Sequence, residues 1–263
     1  MIREGVPGVP RFEAAEYAPK SAAYCLLIPV INEGGRITGE LERARIHGVD
    51  RLADVVLCDG GSDDGSTGEE GLRALGVNSL LVKRDAGRQG AQLRMGLWWA
   101  LERGYDGFIT VDGNGKDSIE DVPLFIRKLD EGYDFVQGSR FVEGGRAVNT
   151  PVARYLAVRL IHAPAISLAA GERFTDTTNA FRAYSRRYIS HPQVQPFRDV
   201  FASYELLAYL SVRASQLKLR TCEIPVTRSY PAGGRTPTKI SLFRGNWSLL
   251  CTLFRTMLGR YSP

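Results

Sequence analysis

Short apolar runs alternate with longer stretches of helical spacing through the first half of this chain. Tyr24-Cys-Leu-Leu-Ile-Pro-Val-Ile31 reads as a strand. Such an unbroken apolar run suits a parallel strand covered on both faces. Residues 33–48 place Ile37, Leu41 and Ala44 on one side of a helix. The same signals predict strands at 53–58, 79–83, 108–111 and 133–137. They predict helices ending near Gly76 and over 89–103 and 118–129. Asp117 or Ser118 is placed to cap the last helix, with Glu120 completing a capping box. The alternation implies an α/β fold: a single Rossmann-like domain whose mostly parallel central sheet is flanked by helices.

The pattern changes after Gly145. A helix-like stretch over 152–170 is interrupted by Pro164. A polar segment, Asp176-Thr-Thr-Asn-Ala-Phe-Arg182, follows, then a helix over 202–214 and a strand over 219–226. Residues 241–263 form an amphipathic helix carrying Leu242, Trp247, Leu250 and Phe254 with Arg244 and Arg255 interspersed. Such a helix suits a membrane interface or a core position equally. Residues 1–20 are rich in Pro, Gly and charge, lack the apolar run of a signal peptide, and read as a surface arm. No uninterrupted apolar run reaches about 18 residues, so no membrane span is expected.

Composition narrows the function classes. The 263 residues suffice for one large α/β domain. A net charge of +5 favours an anionic partner, and its even spread along the chain argues against a nucleic-acid arm. Cys25, Cys58, Cys222 and Cys251 are far apart, with no C-x-x-C pair. They read as core thiols of a reducing compartment without a zinc site. His47, His162 and His191 lie outside every motif.

Polar clusters follow three predicted strands: Pro29-x-x-Asn32-Glu33, Asp59-Gly-Gly-Ser62 and Asp112-Gly-Asn114. Sequential parallel strands bring their C-terminal ends to one crevice. Each cluster alone is what a turn looks like; their order and spacing make the set specific. Asp112 and Asn114, two positions apart beyond a strand, can converge on one divalent cation.

With these motifs the chain resembles the family 2 glycosyltransferases of the GT-A fold, in the dolichol-phosphate mannose synthase-like branch. The resemblance covers residues 25–241. It takes in Arg88-Gln-Gly-Ala91, Gly138-Ser-Arg140, Asp176-x-Thr-x-x-Phe-Arg182, Glu223-Ile-Pro-Val226, Arg228 and Lys239-Ile-Ser241. It implies a domain over 21–240, with a nucleotide-sugar half (21–140) and an acceptor half (141–240). It implies an inverting transfer from a GDP- or UDP-sugar to a polyprenyl phosphate. Two alternatives stay open: transfer to a sugar hydroxyl, and a catalytically silent nucleotide-binding module.

By the same resemblance, Pro29, Asn32, Glu33, Asp59, Ser62, Arg88, Gln89 and Asp112 bind the donor. Asp112 and Asn114 hold Mg²⁺ or Mn²⁺. Asp112, Lys116 and Asp176 serve catalysis. Arg140 and Arg154 bind the lipid phosphate, with Arg182, Arg228 and Lys239 beside them. The segments around Gly144-Gly145 and Gly233-Gly234-Arg235 close over the site. The chain departs from the family at three points. Asp59 is followed by Gly60 where relatives pair two acids. Asn114 supplies oxygen without charge. Lys116 stands where relatives offer Gln to the metal. A lysine there repels a cation and stabilises a diphosphate directly, so weak metal binding is expected. A phosphate acceptor is already anionic and needs no general base; for a hydroxyl acceptor, Asp176 or Glu205 would be the base. A cytoplasmic place at the inner membrane face, with peripheral contact through the C-terminal helix, completes the expectation.

Overall fold

A nine-stranded mixed sheet organises the protein. The computed structural model describes residues 2–3, 6–232 and 244–263. The strands are β1 (Ile2–Arg3), β2 (Phe12–Glu16), β3 (Tyr24–Val30), β4 (Ala53–Asp59), β5 (Val77–Lys83), β6 (Gly107–Thr110), β7 (Phe135–Ser139), β8 (Arg146–Val148), β9 (Arg182–Ser185), β10 (Thr221–Pro225) and β11 (Thr227–Ser229). The large sheet runs β1-β2-β5-β4-β3-β6-β9-β7-β10, and β8 and β11 form a separate two-stranded sheet.

Neighbours among β5, β4, β3 and β6 are parallel. Adjacent residues of β3 enter opposite layers, Leu26 and Ile28 on one face and Cys25 and Leu27 on the other. The first layer takes Ile37, Leu41 and Ala44 from helix Gly35–Ile46, and Val122, Phe125 and Leu129 from helix Val122–Asp130. The second takes Leu93, Met95, Leu97 and Trp99 from helix Gln89–Glu102, and Leu206 and Leu210 from helix Glu205–Gln216.

The chain leaves β3 toward β4 on one side and later returns to β6 on the other. That reversal opens a crevice at the strands' C-terminal ends. The β6 ladder stops at Leu27, so β3 beyond it has a sheet neighbour only in β4. Pro29, which lacks a backbone N–H, is tolerated there.

Four differences from the sequence reading matter. The supposed surface arm supplies β1 and β2, and β2 pairs antiparallel with β5 from Phe12 opposite Lys83 to Glu16 opposite Ser79. The Asp176–Arg182 segment runs straight into β9, which wedges antiparallel between β6 and β7. The capping box is not made: Ser118 Oγ bonds Asp121 and accepts from the Thr227 amide at 2.9 Å, and Asp117 turns to Arg228. Pro164 does not interrupt its helix, which runs from Val152 to Ala170 through a π-helical turn at Val158–His162. Among the described residues this is the one helix long and apolar enough to cross a membrane, against the expectation of none. Its C-terminal half, Ala163–Ala170, packs on helices Glu205–Gln216 and Arg244–Met257. Val152, Leu156, Leu160, Ile161 and Leu168 remain exposed. The cysteines are free; Cys25 and Cys58 lie in the core, and Cys222 and Cys251 are half-buried.

Candidate active site

The loops after β3 and β4 are laced together. Asp59, nearly fully buried at the tip of β4, accepts from the Ser62 amide with both oxygens at 3.0 Å and from Ser62 Oγ at 2.6 Å. Ser62 Oγ in turn accepts from the Asn32 amide at 3.0 Å. Asn32 returns a bond, its Oδ1 accepting from the Asp63 amide at 2.9 Å. Asn32 holds a φ of 48°, a left-handed conformation that Asn tolerates better than most residues. Glu33 pairs with Arg36 at 2.9 Å on the same rim. The clusters that follow β3 and β4 are therefore bonded to each other.

Asp112 follows β6 and leans over β3. A side chain at Gly113 would put its Cβ 2.6 Å from Val30 Cγ1, so the turn lies flat on the strand only because that residue is glycine. Gln89 Nε2 donates to Asp112 Oδ1 at 2.7 Å from the first turn of helix Gln89–Glu102. Arg228 Nη2 donates to Asp112 Oδ2 at 3.1 Å. Asn114 Nδ2 lies 3.4 Å from the same oxygen. Arg88 stands exposed just before that helix, its amide donating to Ala202 O at 2.7 Å.

The turn after Asn114 is clamped from below. Glu40 accepts from the Gly115 amide at 2.8 Å, and Arg43 donates to Gly115 O at 3.3 Å and Asp117 O at 2.9 Å. Burial pushes the Glu40 carboxyl well above the ordinary carboxylate range. Asp117, also sealed from water, pairs with Arg228. Burial pushes the Asp117 carboxyl up to about 6 against the pull of Arg228. Burial likewise disfavours the Arg228 cation, but Asp117 and Asp112 outweigh it and hold its pKa above the usual value.

Tyr230, just past β11, gathers three cations. Lys116 Nζ, Arg154 and Arg228 stand 5.4, 5.6 and 5.8 Å from its ring centre. Arg154 Nη1 donates to the phenol oxygen at 3.0 Å. Burial, then Arg228, draws the Lys116 ammonium below its ordinary value. Burial opposes ionisation of the Tyr230 phenol, but Arg228 and Arg154 prevail and bring it below its ordinary value. Nothing about Tyr230 stood out in the sequence, where it is one of 11 tyrosines. Glu40 and Arg43 were equally silent, because their partners are backbone groups some 70 residues away.

The acceptor-side residues divide. Arg154 faces this cluster. Arg140 does not: it is buried and forms a fork with Asp176, Nε to Oδ2 at 2.6 Å and Nη2 to Oδ1 at 2.9 Å. Asp176 is fully enclosed. Burial resists its ionisation, but Arg140 outweighs burial and holds the carboxyl below its ordinary value. Arg182 is spent on Asn179 O, Leu207 O, Thr177 O and Ser211 Oγ at 2.5–3.0 Å. In this structure the polar atoms of Arg140, Arg182 and Asp176 are engaged within the protein. Lys239 and the Gly233-Gly234-Arg235 loop lie outside the described residues. Gly144 and Gly145 pack against Pro225 and Arg140 beside β8.

The donor set was tested against a divalent ion. Asp112 offers a carboxylate whose Oδ1 is fixed by Gln89, and Asn114 offers an amide oxygen once its amide is turned. Mg²⁺ and Mn²⁺ bind well to one or two protein oxygens completed by substrate phosphates and water. These residues fit such an ion, which would share Asp112 with Arg228. Among the described residues no cluster of three His, Cys, Asp or Glu side chains could hold a metal by itself.

No family model matches the chain. It is 30% identical over 207 residues to the undecaprenyl-phosphate mannosyltransferase of Micrococcus luteus, covering 76% of this chain and 81% of that protein. It is 26% identical over 206 residues to the polyprenol monophosphomannose synthase of Mycolicibacterium smegmatis, covering 77% and 76%. Among solved structures it is similar to glucosyl-3-phosphoglycerate synthase of Mycobacterium tuberculosis in complex with Mn²⁺ and uridine-diphosphate-glucose. The TM-score is 0.64 at 16% identity, over 89% of this chain and 78% of that one. That last likeness speaks for the fold alone. The fold and the mannosyltransferase relationship together place the chain in the dolichol-phosphate mannose synthase-like branch of the family 2, GT-A glycosyltransferases.

Proposed function

We propose that the protein transfers a sugar, with inversion, from a nucleotide-sugar to a polyprenyl phosphate. One observation carries the reading: Lys116, Arg154 and Arg228 converge on one point beside Asp112. A donor diphosphate and an acceptor phosphate put much negative charge in one place, and these cations answer it.

The laced loop of Asn32, Glu33, Asp59 and Ser62 receives the base and ribose. Arg88 and Lys116 face the diphosphate. An oxygen of the acceptor phosphate attacks the anomeric carbon as the bond from that carbon to the leaving diphosphate breaks. The electron pair and negative charge pass to the diphosphate, where Lys116 and Arg228 stabilise them. A divalent ion on Asp112 and Asn114 would add Lewis-acid stabilisation of the same charge. The attacking oxygen carries no proton to remove, so no base is required. The hydroxyl-acceptor alternative would need one, and its two candidates are engaged: Asp176 by Arg140, and Glu205 by the Ser203 amide at 2.6 Å.

A lipid acceptor brings the protein to a membrane surface. The contact expected of the C-terminal helix extends to helix 152–170, which packs against it. The two expose Leu160, Leu168, Trp247 and Phe254, with Arg159 and Arg255 among them. Apolar bulk ringed by arginine suits an anionic interface.

The test incubates the protein with undecaprenyl phosphate and radiolabelled GDP- and UDP-sugars, with and without Mn²⁺. The expected product moves into chloroform and is released by mild acid. Label that stays in water with every donor, or a solvent-soluble product that resists mild acid, would refute the reading.

A further inference from the structure

Tyr230 is more than a platform for three cations. Its backbone is pinned on both sides, the amide donating to Val148 O at 3.0 Å and the carbonyl accepting from Asn149 Nδ2 at 3.2 Å. The side chain is almost wholly buried. Its oxygen accepts from Arg154, and the Arg228 guanidinium stands 5.8 Å from the ring centre. Guanidinium groups only donate, so the phenolic hydrogen has no acceptor among the described residues. A buried hydroxyl without an acceptor costs stability and calls for a partner. Arg154 is in a similar state: no carboxylate lies within ion-pair distance of it among the described residues. An aimed O–H flanked by cations is a site for a phosphate oxygen.

We propose that the Tyr230 hydroxyl donates to an oxygen of the acceptor phosphate, held between Arg154 and Arg228. This rests on the function proposed above and adds a specificity-determining residue to it. A phosphate here has two sources, the nucleotide diphosphate and the acceptor monophosphate. The position of Arg154 decides for the acceptor. It rises from the exposed apolar helix 152–170, whereas the Asn32–Ser62 loops that would hold the nucleotide belong to the other half of the chain.

Tyr230→Phe keeps the ring and its cation contacts and removes only the hydroxyl. The expected result is a rise of about tenfold in KM for undecaprenyl phosphate, the size of one lost bond to a charged group, with KM for the sugar nucleotide unchanged. Arg154→Gln should raise the same KM, and the double variant should cost less than the product of the two. A second readout needs no turnover: inorganic phosphate should raise the melting temperature of the wild type and shift Tyr230→Phe less, while UDP or GDP shifts both equally. If undecaprenyl phosphate is no substrate at all, the functional reading fails, and the phosphate shift still judges Tyr230. Wild-type KM values together with an equal phosphate shift in Tyr230→Phe would overturn the inference. So would a change confined to the sugar nucleotide.

Discussion

Asp112 and Asp176 are both acids in loops that lead away from or into the central sheet, and the fold treats them in opposite ways. Asp112 keeps 21% of its side chain open, held by the amides of Gln89 and Asn114 and one shared guanidinium. Asp176 is closed on all sides, with Arg140 filling its fork and its own amide donating to Glu223 at 3.1 Å. The first arrangement leaves a carboxylate that a ligand can share. The second spends the whole charge on the structure. An acid in a motif is thus a site only where the fold leaves part of its coordination unfilled.

The largest expected effect tests the closed acid. Asp176→Asn leaves Arg140 buried beside a neutral amide and should cost about 3–5 kcal/mol in urea unfolding. The pH dependence follows from the sign of its shift. The Asp176 carboxyl is held below its ordinary value, so its stabilisation is complete above the unfolded pKa of about 4 and is lost as pH falls through the lower folded value. In Asp176→Asn that acid limb should flatten. A mild loss with retained acid sensitivity would mean that Asp176 is as open as Asp112.

The next effect tests the open acid. Asp112→Asn should cost clearly less in unfolding free energy than Asp176→Asn, because the buried Arg228 keeps Asp117 as its carboxylate partner. Transfer should fall by about 100-fold or more, since the group acts on charge that develops in the reaction. Collapse of the fold with proportionate loss of activity would erase the contrast.

The smallest effect concerns the surface. Leu168→Ser, at an exposed position of helix 152–170, should weaken sedimentation with anionic vesicles by about threefold and leave the melting temperature unchanged. Unchanged vesicle binding in a Leu168→Ser/Trp247→Ser double variant would remove the membrane from this face.

How far the sequence could be read follows from the same contrast. The β3, β4 and β6 runs were legible because strands buried on both faces are apolar throughout, and their polar ends mark the crevice. β2 and β9 were not. Phe12-Glu-Ala-Ala-Glu16 and Arg182-Ala-Tyr-Ser185 mix charge with short side chains and gain their strand character from neighbours. Asp112, Asn32 and Asp59 stood out because each is a polar residue at the end of an apolar run, a local signal, although the Asp112 partners Gln89 and Arg228 lie 23 and 116 positions away. The pairing of Arg140 was hidden because Asp176 lies 36 positions away, and that of Arg182 because half of its partners, Leu207 and Ser211, lie 25 and 29 positions away and half are backbone carbonyls within five. The capping box failed for the same reason: Asp117 answers to Arg228, 111 residues on.

Glu40 and Arg43 grip the backbone of the turn that carries Asn114 and Lys116, and they do so without touching either side chain's function. Two of the three positions that depart from the family pattern are thereby mounted on a fixed chassis. Replacing Asn114 by Asp, or Lys116 by Gln, exchanges a fitting and leaves the frame as it was. Under the proposed function, the response of transfer to a divalent cation would then be set by these two side chains rather than by the turn that carries them.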